Sequence, residues 1–274
     1  MAGDDMLIGG AGADTLRGGD GIDTVDYSGS SAAVTVHLDG SANTGGDAQG
    51  DTIDGVEQVI GSAHADSIFG DALANALSGG AGNDDLHGGG GNDWLMGGLG
   101  ADTLDGGAGD DTASYADATA GISLNLSAAN GSGTGGEANG DTLTGIEHVL
   151  GSAFDDQILL NLNTGISFDG LGGRDTVTLT DIGRAITAGD LSRLSHVEEI
   201  SFTGNNVQAN MTIDADFIRN MAGQGNDSYL TITKDANDTI NIAAGAEVVH
   251  NGNTWEFYSD SSHTVKIATL AMTG

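Results

Sequence analysis

The stretch GGAGNDDLHGGGGNDWLMGGLGADTLDGGAGDDTAS, residues 79–114, sets one acid and one aliphatic residue in a fixed place after every glycine pair. Six nine-residue units run without a slip from Gly61 to Ser114: GSAHADSIF, GDALANALS, GGAGNDDLH, GGGGNDWLM, GGLGADTLD and GGAGDDTAS. Position six of these units carries Asp66, Asn75, Asp84, Asp93, Asp102 and Asp111. The same frame places Asp14 and Asp23 in Gly9–Arg17 and Gly18–Asp26, Asp156 in Gly151–Leu159 and, after a slip of one residue, Asp175 in Gly170–Thr178. A column of carboxylates repels itself, so it calls for a cation. Carboxylate oxygens beside the carbonyls of glycine turns suit a hard ion with many oxygen ligands. That favours calcium over zinc or copper, and over magnesium with its stricter octahedron.

Position eight shows what must hold these acids. It carries Ile68, Leu77, Leu86, Leu95, Leu104 and Ala113. A three-residue strand centred there points that side chain one way and its two neighbours the other. The six residues before it must turn the chain, and glycine supplies the positive φ that such turns need. Two units then make one flat coil, and coils stack as a parallel β-solenoid. Residues eighteen apart lie above one another, which sets Asp66 over Asp84, Asn75 over Asp93, Asp84 over Asp102 and Asp93 over Asp111. Each coil buries only two aliphatic side chains, too little to order eighteen residues without help. The chain is therefore expected to be disordered until the ion binds.

Composition agrees. Acids outnumber bases 40 to 7, for a net charge of −33, and 48 glycines stand beside no proline and only 4% aromatic residues. Such a polyanion excludes nucleic acid as a partner. There is no cysteine for a disulfide or a thiolate site, no apolar run long enough to span a membrane, and no basic-then-apolar leader. The opening AGDDMLI reads as the second half of a repeat, with Asp5 at position six, so the sequence is expected to be a piece of a longer protein.

The units resemble the nonapeptide Gly-Gly-x-Gly-x-Asp-x-aliphatic-x of the RTX, or repeats-in-toxin, calcium-binding proteins. Those beginning at Gly9, Gly18, Gly79, Gly88 and Gly97 match it at every fixed position, and the one at Gly106 departs only by Ala113. The resemblance implies calcium bound by position-six aspartates and turn carbonyls. It carries over to Asp5, Asp14, Asp23, Asp84, Asp93, Asp102 and Asp111, and to turn residues Gly10, Gly12, Gly19, Gly21, Gly80, Gly82, Gly89, Gly91, Gly98, Gly100, Gly107 and Gly109. Asp66, Asn75, Asp156 and Asp175 complete the candidate ligands, in turns that depart from the pattern through His64, Leu73, Phe154 or the slipped frame. Five or more ions are expected, four of them within 61–114 and one between the Asp5 and Asp23 turns.

A longer repeat overlies the short one: residues 23–66 match 111–156 at an offset of 88 rising to 90. Each copy holds an alternating strand (Val34, Val36, Leu38; Ile122, Leu124, Leu126) and a lengthened turn, GGDAQGD or GGEANGD. These insertions, 27–60 and 115–150, read as further coils with a surface loop, and Asp51 and Asp141 are open candidates for calcium. The expected fold is all-β: a parallel β-roll over 1–178, then a β-rich cap over 179–274 with short helices near 188–194 and 215–222. The last 60–90 residues resemble the C-terminal domain that follows RTX repeats in type I secreted bacterial proteins. This implies the secretion machinery as a partner and an extracellular or cell-surface location.

None of the seven histidines shows HExxH spacing and no serine sits on a Gly-x-Ser-x-Gly turn, so a noncatalytic module is expected. Glu147–His148 and its counterpart Glu57–Gln58 read as solvated strand positions. Two other functions are weighed, the repeat module of a polysaccharide-modifying enzyme and an adhesive or ice-binding solenoid. The first would want a basic or aromatic groove, and only Trp94 and Trp255 are available; the second would want an outward threonine array, where position three is mostly alanine or glycine. Trp94 and Met96 point outward and make either an isolated exposed spot or a surface for a loop, a partner or a second copy.

Overall fold

A computed structural model of the chain describes residues 2–180, 186 and 188–201, together with strand backbone at intervals between 210 and 273. Almost every described element is a strand, most of them parallel, as position-eight periodicity predicts. Contacts divide the chain into two compact units, residues 1–118 with 129–150 and residues 119–128 with 151–274.

In the first unit one parallel ladder runs through Met6–Leu7, Thr24–Asp26, Gln58–Ile60, Ala76–Ala81, Trp94–Leu99, Thr112–Ser114 and His148–Leu150. A second contains Thr35–His37, Ser67–Phe69, Asp85–Gly90, Thr103–Ala108 and Thr142–Thr144, and Thr15–Arg17 pairs separately with Thr52–Asp54. The register is the eighteen-residue coil: Trp94 faces Ala76 and Thr112, and Leu104 faces Leu86. Position eight fills the interior, with Leu77, Leu95 and Ala113 fully buried along one ladder and Ile68, Leu86 and Leu104 along the other.

Within residues 61–114, four of the six repeat strands are longer than the three residues expected. Ala76–Ala81, Asp85–Gly90, Trp94–Leu99 and Thr103–Ala108 continue through the glycine pair into the turn. With no side chain at these glycines, neighbouring backbones come close enough to extend the ladder, pairing Gly98 with Gly80 and Gly107 with Gly89.

The long repeat is built as coil plus loop. Thr35–His37 stacks on Ser67–Phe69, and Thr35 and Thr44 then exchange antiparallel hydrogen bonds as the chain doubles back. Thr52–Asp54 follows against Thr15–Arg17, 37 residues earlier in register. In the second copy Gly131–Gly135 pairs antiparallel with Thr142–Thr144.

The second unit carries a parallel run of Ser123–Leu126, Gln157–Leu160, Thr176–Leu179, Glu199–Ser201, Tyr229–Thr233 and Lys266–Thr273, which continues antiparallel into Thr254–Tyr258 and Glu247–Asn251. The strands expected in the C-terminal region are present. The helix expected over 188–194 is shorter, Ala188–Leu191, because Leu194 enters a strand against Phe168. The expected helix over 215–222 lies outside the described residues. Trp94 is 38% exposed and Met96 half-buried on the outer face.

Candidate metal centre

Each position-six residue closes its turn just before a strand, and the register brings the acids together as a hydrogen-bonded column. The main-chain N–H of Asp66 donates to Asp84 Oδ1 at 2.8 Å, Asn75 to Asp93 at 2.8 Å, Asp84 to Asp102 at 2.8 Å and Asp93 to Asp111 at 2.7 Å. Asp5 donates likewise to Asp23, and Asp156 to Asp175. One carboxylate oxygen thus ties each coil to the one before it. The other is left over. Oδ2 of Asp5, Asp14, Asp23, Asp84, Asp93, Asp102, Asp111 and Asp175 is buried with no hydrogen-bond partner among the described residues.

Buried polar atoms without partners are rare, and a carboxylate oxygen in that state is costly. Burial pushes Asp84 and Asp93 up to about 6 and Asp175 up to about 8, and raises Asp102 and Asp111. Neighbouring carboxylates add to the rise at Asp84, Asp93, Asp111 and Asp175, while the N–H from the preceding coil opposes it.

Carbonyls complete the surroundings. The candidate turn glycines at positions two and four, from Gly10 and Gly12 to Gly107 and Gly109, all have positive φ, between 75° and 158°. At position one a carboxylate oxygen and a carbonyl converge. A Cβ built on Gly79 would run into Asp84 Oδ2 and the carbonyl oxygen of Gly97, and one on Gly88 into Asp93 Oδ2 and the carbonyl of Gly106. Gly18 likewise meets Asp23 Oδ2 and the carbonyl of Gly55. These oxygen-lined cradles, each short of one positive partner, fit calcium. No three His, Asp or Glu side chains gather in one place among the described residues, so any such site must draw on main-chain carbonyls.

The family of the RTX calcium-binding nonapeptide repeat, in four copies, matches residues 1–27, 51–86, 60–95 and 78–113. The chain carries RTX calcium-binding repeats. No curated protein matches the chain. The RTX frame explains the turns of 9–26 and 79–114, and it also shows where the chain departs from its own pattern.

Several members of the columns lie outside the nonapeptide. Glu57 and Glu147 are not solvated strand positions, as their sequence context suggested; they occupy position six. Glu57 accepts the N–H of Asp23 and Glu147 that of Asp111, both at 2.9 Å, and Glu198 accepts that of Asp175 at 2.8 Å. The signal was present in VEQV, IEHV and VEEI, where a glutamate stands two residues before a buried aliphatic side chain, as aspartate does in the repeats.

Asp51 and Asp141 also occupy position six, ahead of Thr52–Asp54 and Thr142–Thr144, and accept the N–H of Asp14 and Asp102. Their second oxygens are not left over: Tyr27 and Tyr115 donate their hydroxyls to Asp51 and Asp141 at 2.8 and 2.9 Å. Burial raises both tyrosines, and pushes Asp141 up to about 6.

His37, His87, His148 and His196 lie beside acidic side chains. His87 lies between Asp85 and Asp105 at 3.1 and 3.5 Å and stacks on Phe69, which stacks on His37, and His148 meets Asp110 at 3.0 Å.

Proposed function

We propose that this chain is a noncatalytic calcium-binding RTX module that folds on binding calcium after type I secretion, as part of a larger extracellular protein. The observation that carries the reading is the set of eight buried carboxylate oxygens without a donor, with main-chain carbonyls converging beside those of Asp23, Asp84, Asp93, Asp111 and Asp175. Such turns are unfavourable while empty and favourable when loaded. A ligand that binds only the folded state stabilises it by mass action. Scarce calcium inside a cell then keeps the chain unfolded and exportable, and abundant calcium outside folds it.

Residues 179–274 are assigned the export signal and the closure of the open end of the roll, where unpaired strand edges need covering. The test is secretion of the chain, with and without residues 179–274, from cells carrying a type I apparatus, followed by calcium analysis of the product. Loss of export together with weaker calcium cooperativity on truncation supports both roles. Unchanged export and unchanged cooperativity remove them.

A further inference from the structure

The turns differ at their second residue, and that difference tracks the fate of the carboxylate four residues on. Position two has positive φ at Gly10, Gly19, Gly80, Gly89, Gly98, Gly107 and Leu171, with Leu171 at 62° although it is not glycine. The matching carboxylates, Asp14, Asp23, Asp84, Asp93, Asp102, Asp111 and Asp175, are all among those with an unpartnered Oδ2. Ser62, Asp71 and Ser152 stand at the same position and are not among the positive-φ residues. In each of these turns the position-two N–H donates into the turn: Ser62 to Asp66 Oδ2, Asp71 to Asn75 Oδ1 at 2.8 Å, and Ser152 to Asp156 Oδ2 at 2.8 Å.

The two serines go further. Their hydroxyls donate to Asp66 Oδ1 at 2.9 Å and to Asp156 Oδ1 at 2.7 Å, and the N–H groups of Val34 and Ile122 donate to the same oxygens at 2.7 and 2.9 Å. Asp66 and Asp156 therefore each hold three donors, from matching residues in the two copies of the long repeat. A lone pair that accepts an N–H or O–H is occupied, and the donor's positive hydrogen stands where a cation would have to sit.

We propose that the backbone at position two decides whether a turn takes calcium: the turns closed by Asp14, Asp23, Asp84, Asp93, Asp102, Asp111 and Asp175 take the ion, whereas those closed by Asp66 and Asp156 are metal-free and held by Ser62 and Ser152. The proposal rests on the calcium-binding reading and sorts the candidate ligands within it. It also assigns calcium to a turn that the repeat family does not match, the one at Leu171. Positive φ is unfavourable for leucine, and an ion at Asp175 would offset that strain.

Calcium ions bound per chain, measured by isothermal titration calorimetry and ion analysis on full-length protein shown by circular dichroism to be folded in saturating calcium, test this. Asp66→Asn and Asp156→Asn should leave the count unchanged, and Asp102→Asn and Asp175→Asn should each lower it by at least one. Where an asparagine variant at 66 or 156 does not fold, Ser62→Ala or Ser152→Ala, which keeps the N–H donor, replaces it and predicts the same unchanged count. A lost ion in any variant of the first group, or none lost in Asp175→Asn, overturns the proposal. A wild-type chain that binds no calcium would instead overturn the function on which it rests.

Discussion

Asp84 gives its main-chain N–H to Oδ1 of Asp102, eighteen residues on, and each of the two carboxylates keeps a buried second oxygen without a donor. The first oxygen is structural and sets the stacking register. The second is a standing demand for positive charge. Under the proposed function, that division of labour within one carboxylate makes the fold conditional on calcium.

Replacing the charge without removing the tie separates the two roles. Asp93→Asn keeps Oδ1 for the Asn75 N–H and turns the unpartnered Oδ2 into an amide. Calcium-loaded stability should fall by about 1–3 kcal/mol, the scale of a lost interaction with a charged group, while the calcium-free chain at neutral pH should become more stable, because a buried charge is gone. Thermal melts with and without chelator measure both signs, and a fall in both conditions would contradict the division.

Acid should partly replace calcium. Burial holds Asp84, Asp93, Asp102, Asp111, Asp141, Asp156 and Asp175 above the ordinary carboxylate range, so at these groups the calcium-free fold binds more protons than the unfolded chain. Stability is then fully present below about pH 4 and lost as pH rises through about 6 for Asp84 and Asp93 and about 8 for Asp175. Far-UV circular dichroism in chelator should show more β-structure at pH 4.5 than at pH 8. More structure at pH 8 would contradict the sign.

Tyr115→Phe leaves the buried second oxygen of Asp141 without its donor. The cost should be about 1–3 kcal/mol, and nearly equal with and without calcium, since the hydroxyl serves that carboxylate in either state. Denaturant melts under both conditions check it, and a penalty confined to the calcium-loaded form would tie this tyrosine to an ion instead.

Leu95 is fully buried between Leu77 and Ala113. Leu95→Ala should destabilise the calcium-loaded form by about 2–5 kcal/mol, raising the calcium needed for folding. A change under about 0.5 kcal/mol, the size of a surface effect, would place position eight outside the core.

The periodic part of the structure was legible because one residue type recurs in one phase. Position-eight aliphatics fixed the inward face, and the eighteen-residue register followed from two units per coil. The long repeat was harder to read. Its register shifts to 34–39 residues, so Glu57, Asp51 and their counterparts fall out of phase with the nonapeptide although they close the same columns. The pairing of Tyr27 with Asp51 joins residues 24 apart across a doubled-back loop, and no local pattern announces it. The conformation at Leu171 was hidden because leucine is not a residue that advertises positive φ.

On the proposed function, the empty carboxylate turns withhold the fold until calcium arrives. Far-UV circular dichroism of the full chain at neutral pH, in chelator and then in millimolar calcium, tests it directly. A disordered spectrum that converts cooperatively to β-structure is the predicted result, and the same β-spectrum in chelator as in calcium would contradict it.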